Sequence, residues 1–321
     1  MHIPDGFVSD PVNAAMAGVA GVALVASIRG LRRESQDNSF VAPLLAIAST
    51  FIFAAQMLNF SIGGGTSGHF LGAILAATLV GPWGACLALS LVLAVQGLFF
   101  ADGGLTALGS NIVNMGVVGG MLSYPILRKL RRALPDGSAG FYTSVGLTSW
   151  LSIVLASAIC SFELALSDTS PLAIAFPAMV GTHAIIGLGE AAISVAALML
   201  LFRFFPSVQP SWAKLSPSQA SSVNEKRLVA AGLALAVALA MFVSPFASGF
   251  PDGLEKVAED KGFMQAASED KVVWTASPFP DYQITSIKAE GLSTGMAGLV
   301  GSLLVFAFAM GSGRSLLTAR K

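Results

Sequence analysis

Long apolar runs, broken by short polar or glycine-rich stretches, follow one another along almost the entire chain. A helix that crosses a hydrocarbon core of about 30 Å needs roughly 20 such residues. The pattern predicts spanning helices at 10–28, 40–60, 69–82, 83–101, 105–127, 141–166, 176–202, 227–247 and 291–311. The third is short and bounded by glycine, so a tilted or partly re-entrant helix is expected there. The predicted fold is an all-α polytopic membrane protein: a seven-helix bundle followed by a C-terminal two-helix hairpin.

Basic residues orient it. Arg29, Arg32 and Arg33 follow the first run, and Arg128, Lys129, Arg131 and Arg132 follow the fifth. Arg203, Lys214, Lys226 and Arg227 separate the seventh from the eighth, and Arg314, Arg320 and Lys321 close the chain. All fall on one side if the N-terminus is outside and the C-terminus inside, as the positive-inside rule requires. The other four, Lys256, Lys261, Lys271 and Lys288, lie in the long loop 249–290, which this orientation puts outside.

Composition agrees. The 321 residues are 54% hydrophobic and 11% charged, with zero formal net charge and a mean hydropathy of +0.74. Soluble domains carry about 25% charged residues, and no basic excess points to nucleic acid. Cys86 and Cys160 sit in apolar runs and read as small core residues. Residues 1–9 lack the basic segment of a cleavable signal. Three units are expected: 1–205, a Pro/Ser/Gln-rich cytoplasmic linker at 206–226, and 227–321, whose outer loop contains Phe250-Pro251-Asp252-Gly253-Leu254-Glu255.

Candidate chemistry begins at the first two residues. In Met1-His2 the α-amine, the His2 backbone nitrogen and the imidazole Nδ1 can close adjacent rings around one ion. A fourth nitrogen would complete a square-planar set, which suits Ni(II) or Cu(II). The only other histidines are His69 and His183. His69 ends Gly63-Gly64-Gly65-Thr66-Ser67-Gly68-His69, a flexible loop on the side where the N-terminus is expected, so it can supply that nitrogen. The plainer readings are a disordered terminal His2 and an interfacial His69. Metal-bound imidazoles usually hold an acceptor on their second nitrogen; Asp5, Gln96, Asp102, Asn111 and Asn114 are candidates. Asn111 and Asn114 are spaced to share a helical face, as are His183 and Glu190, which read first as a structural pair and second as groups tuning the site. Small residues at Ala14-Gly18, Ala17-Gly21 and Gly116-Gly120 mark faces for close helix packing. No ATP-binding Gly-x-x-x-x-Gly-Lys-Ser/Thr loop is present.

Met1-His2-Ile3-Pro4-Asp5-Gly6, Gly63–Ala73, Asn111–Gly116 and Gly181–Ala191 together resemble the CbiM/NikM family of substrate-binding components of energy-coupling factor transporters. The likeness covers roughly residues 1–205. The C-terminal unit, with Pro251–Glu255, resembles the PDGLE-type small subunit NikN, so the chain looks like a NikMN-type fusion. The resemblance implies Ni2+ or Co2+ as transported substrate, held by the Met1 amine, the backbone nitrogen and Nδ1 of His2, and His69. It implies no organic cofactor and no ATPase of its own. Its partners would be a CbiQ/NikQ-type coupling protein and a CbiO/NikO-type ATPase pair in the cell membrane. The loop likeness tilts the metal to nickel, with cobalt uptake for cobalamin biosynthesis as the alternative. Two other readings compete: an intramembrane serine protease built on Ser110 and His183, and a membrane scaffold whose loop 249–290 binds another protein.

Overall fold

The computed structural model describes residues 2–34, 40–215, 224–267 and 271–318. Helix α1 spans Asp10–Glu34, with Asp10 in its first turn and Arg32 and Arg33 in its last, charges that complement the helix dipole. Helix α2 spans Val41–Gln56, and α3 spans Ala73–Val95 and runs on to Phe100. Helix α4, Leu108–Asn111, continues in wide π-helical turns to Leu122. Then come α5, Tyr124–Ala133; α6, Ser138–Leu166; and α7, Leu172–Phe204. Helix α8, Glu225–Ala238, is capped by the Asn224 side chain. Helix α9 is Gly253–Lys261 and α10 is Glu290–Thr318. Among the described residues, six helical stretches are long and apolar enough to cross a membrane. Helix α6 packs on α7, α3 on the wide-turn helix, and α2 on both α8 and α10. Cys86 and Cys160 are buried free thiols, as expected.

Three expectations need correction. First, the fold is not purely helical: β1, Phe60–Gly63, pairs antiparallel with β2, Thr66–Gly68. Gly63, Gly64 and Gly65 make the turn at φ of 93°, 62° and 71°, a region that glycine enters without a Cβ clash. The run 40–60 therefore leaves helix at Met57, and the glycine loop is a built hairpin.

Second, the run 69–82 is not helical throughout. Residues 69–72 are non-helical and buried, and α3 is broken at Gly81, at φ 72° and ψ 176°, before Pro82. Ala73 and Ala85 pack against the consecutive Gly119 and Gly120. A straight helix would separate them by about 18 Å, so the chain reverses at Gly81. The first arm, 73 to 80, is only about 12 Å long. A buried extended segment completes that passage, and its backbone groups need partners because no water replaces them. Glu190 Oε2 and Oε1 accept from Leu71 N at 2.6 Å and Gly72 N at 2.9 Å. Gln56 Nε2 donates to Leu71 O at 3.0 Å.

Third, loop 249–290 carries α9 and folds onto the bundle: Val273 N donates to Asp5 Oδ2, and Phe279 N to Phe99 O. Arg131, one of the basic residues after the fifth run, is buried. It is 1% exposed, with its guanidinium donating to the carbonyls of Ala213, Leu134 and Pro135, which ties α5 to the segment after α7. The expected linker 206–226 has helical turns at Pro206–Val208 and Ser211–Ala213; its residues 216–223 lie outside the described residues.

Candidate functional site

The first residues are threaded into the bundle. Ile3 and Phe7 are fully buried. Asn111 clamps the Ile3 backbone: Ile3 N donates to Oδ1 at 2.8 Å, and Nδ2 donates to Ile3 O at 3.1 Å. Gly104 N donates to the same Ile3 carbonyl at 2.9 Å. Gly104 has no room for a side chain, because a Cβ there would strike the backbone nitrogen of Asp5. Asp5 Oδ1 accepts from Thr106 N at 2.9 Å and Thr106 Oγ1 at 2.6 Å. Further on, Thr169 Oγ1 donates to Phe7 O and Ser9 N to Ser167 Oγ. Asp5 and Asn111 therefore hold the segment by these bonds, not through hydrogen bonds to a histidine.

This threading delivers His2 to His69. Their rings stack with centroids 4.8 Å apart and planes inclined by 22°, and both side chains are buried. His69 leaves the hairpin just before the segment that Glu190 anchors, so Glu190 positions it from below. Gln96 Oε1 lies 3.2 Å from His2 Nε2, and Asp102 Oδ1 lies 3.2 Å from Nδ1. His69 Nδ1 donates to Phe70 O at 3.1 Å, and Nε2 faces Asp252 Oδ2 at 3.6 Å. Burial pushes the His2 imidazole down to a pKa of about 4, against the pull of Asp102, so it is neutral at physiological pH. Met1 lies outside the described residues. Among those described, no three His, Cys, Asp or Glu side chains form a metal-holding group.

Three expected companions stand apart. Asn114 Nδ2 donates to Glu163 Oε2 at 2.7 Å, so Asn111 and Asn114 serve different partners where the wide turns begin. His183 does not pair with Glu190: its Nδ1 donates to Met179 O at 2.8 Å, and its ring packs against Gly253. No hydrogen bond joins His183 to the buried Ser110 Oγ, and the nucleophile–base pair of a protease is not formed.

Two functional neighbours have no counterpart among the sequence candidates. Asp252 does double duty. Oδ1 caps α9 by accepting from Leu254 N and Glu255 N, while Glu255 Oε2 accepts from Asp252 N. That reciprocal box is readable from the Asp-x-x-Glu spacing, but its Oδ2 facing His69 is not. The same motif holds the hairpin, since Ser67 N donates to Pro251 O and Ser67 Oγ to Phe250 O. Tyr282 donates its hydroxyl to Asp102 Oδ2 and accepts from Gln96 Nε2 at 3.1 Å. No local signal marks it. The C-terminal part of the chain thus supplies a neighbour to each partner set of the two stacked histidines.

Comparison with known proteins fits this construction. Residues 2–208 match the family described as cobalt uptake substrate-specific transmembrane region, CbiM, and residues 226–318 match the PDGLE domain. A putative fused nickel transport protein NikMN of Archaeoglobus fulgidus is 32% identical, covering 99% of this chain and 100% of that protein. The fused nickel transport protein NikMN of Rhodobacter capsulatus is 30% identical, covering 100% and 99%. A crystal structure of a truncated transition metal transporter superposes with a TM-score of 0.56 at 32% identity, covering 64% of this chain and 99% of that one. The protein is multi-pass in the membrane, and it belongs to the CbiM family with a PDGLE domain fused behind it.

Proposed function

We propose that the chain is the substrate-capturing membrane component of an ATP-driven Ni2+ importer of the energy-coupling factor type. The Met1 amine, the His2 backbone nitrogen, His2 Nδ1 and His69 Nε2 would hold the ion. One observation carries this reading: the terminal segment is built into the protein so that two buried imidazoles stack at 4.8 Å. The proton balance supports it. With His69 Nδ1–H on Phe70 O and His2 Nε2–H on Gln96 Oε1, each ring turns its other nitrogen lone pair toward a carboxylate. Facing acceptors favour a positive ion between them. Asp102 and Asp252 would offset the charge of a divalent ion, and Gln96 would be the acceptor that fixes the His2 tautomer.

The same nitrogens would take Co2+ less favourably on the Irving–Williams order; the family description and the fused nickel relatives leave cobalt as the second reading. We propose units at 1–205 and 227–321 joined by 206–226, with the stacked histidines outside and the C-terminus inside. Coupling protein and ATPase pair would be separate chains. A Cβ added at Gly18 or Gly21 would meet nothing within 4 Å, and we place contact with the coupling protein on that open face of α1. Gly18→Leu should then block assembly; full assembly of that variant refutes the placement.

Titrating Ni2+ and Co2+ by calorimetry into metal-stripped protein with a native N-terminus tests the site. A copy carrying one residue ahead of Met1 should lose tight binding. Equal binding by both forms would overturn the terminal chelate.

A further inference from the structure

A cleft opens where the C-terminal unit meets the bundle, away from the stacked histidines. Helix α8 packs on α2 and α10, and a space of about 760 Å3 remains between it and α7. Phe51 of α2, Leu75 of α3, Leu201 and Phe204 of α7, and Leu228 and Leu235 of α8 line it. Phe204 and Leu235 are exposed there. Polar groups line the cleft only at the end formed by the last turn of α7 and the first turn of α8: Ser207, Asn224 and Arg227. Arg227 is exposed and has no carboxylate partner among the described residues. Glu225, next to it on α8, is not on the cleft wall.

The depth of the cleft says what fits it. It follows α8 from Asn224 to Leu235, a rise of about 17 Å. That is the depth of one leaflet, half of a hydrocarbon core of about 30 Å. Further along α7 toward the histidines, the Phe60 ring of β1 covers Gly189, lying where a Cβ would be. A helix of a partner protein crosses the full core and is longer than this cleft. We infer that the cleft binds one anionic phospholipid of the inner leaflet, with its acyl chains against the apolar walls and its phosphate on Arg227. A cation at headgroup depth attracts anionic lipid, and the apolar walls exclude water from the tails. The choice of leaflet follows from the orientation proposed above; lipid binding itself does not depend on metal capture. A lipid seated there touches α7 and α8 at once and fills the gap between the two units.

Native mass spectrometry of the delipidated full chain tests this, with phosphatidylglycerol and phosphatidylcholine of identical acyl chains as probes. The wild type should hold one phosphatidylglycerol at least fivefold more tightly than phosphatidylcholine. Ala231→Trp, which fills the cleft from α8, should abolish that one tight site. Arg227→Gln changes an exposed side chain and leaves the walls intact; it should weaken phosphatidylglycerol about fivefold, the worth of one basic residue at a membrane surface, and leave phosphatidylcholine unchanged. Equal retention of phosphatidylglycerol by the wild type and Ala231→Trp would overturn the inference. So would wild-type preference in Arg227→Gln, the readout that stands if Ala231→Trp does not accumulate. A cleft filled by another stretch of protein would leave the wild type with no tight lipid site, and that result overturns it as well.

Discussion

Asn111→Ala isolates the anchoring of the terminal segment from metal ligation, because the hydrogen bonds of Asn111 go to the Ile3 backbone and not to a histidine. The Ile3 carbonyl keeps its bond from Gly104 N after the truncation. Losing the Asn111 donor there costs about 0.5–1.5 kcal/mol, and leaving the buried Ile3 N–H unsatisfied costs about 1–3 kcal/mol more. The docked state of residues 2–9 is therefore destabilised by about 1.5–4.5 kcal/mol relative to the undocked one. Each 1.4 kcal/mol is a factor of ten, so apparent Ni2+ affinity should fall at least roughly tenfold when docking limits it. Asn111→Leu fills much of the same volume and separates the lost hydrogen bonds from the cavity; it should lose as much as the alanine variant. Calorimetry on both variants, with melting curves to confirm that the bundle is folded, gives the answer. Affinity within threefold of wild type in both would refute the view that Asn111 holds the chelate in place.

Three more outcomes follow from the same geometry. Gly104→Ala puts a Cβ against the Asp5 backbone nitrogen and should weaken Ni2+ binding at least tenfold; unchanged binding would mean that the terminal segment is not seated as described. Asp252→Ala should cost α9 about 0.5–2 kcal/mol of cap stabilisation and weaken metal binding, whereas Asp252→Asn keeps the cap and should weaken binding alone, read by hydrogen exchange over 253–261 beside the titration. His2 titrates at about 4 when docked, against 6.5 for an imidazole in water. Its lowered pKa means the undocked segment binds more protons, so docking is favoured above pH 6.5 and loses about 3 kcal/mol as pH falls to 4, at about 1.36 kcal/mol per unit. Hydrogen exchange of residues 2–9 in metal-free protein should speed up through that window, and a pH-independent rate would contradict it.

What is legible in the sequence is what the chain encodes locally. A helix crossing a membrane satisfies its own backbone, so the apolar runs alone locate α6 and α7 closely at both ends and the starts of α1 and α10, whose last turns run on past the apolar stretch. The run 69–82 reads as helix throughout because hydropathy counts apolar residues and cannot see a break in hydrogen bonding. Phe70 and Leu71 are as buried as any helical residue, but their segment is extended and held by Glu190 and Gln56 from far along the chain. That also explains Glu190, whose spacing from His183 suggests a pair: a carboxylate in a span is legible as costly, and its partner is a broken backbone.

The site divides the same way. The meeting of His2 and His69 is readable because a histidine at position two and a glycine-rich approach are local features. Gln96 and Asp102 are among the candidates and do face His2, while Asp5 and Asn111 are right in place and wrong in role, since they grip the backbone that carries His2. Asp252 and Tyr282 come from far along the chain, Tyr282 lying 180 residues beyond Asp102, and they have no spacing to betray them. Their arrival changes the logic of the fusion. Asp252, fixed on the cap of α9, faces His69, and Tyr282 holds Asp102, the carboxylate beside His2. Moving the C-terminal loop away as one body would therefore take one carboxylate from His69 and leave the other without its hydroxyl donor, so displacing the loop and changing the charge at the stacked rings are coupled.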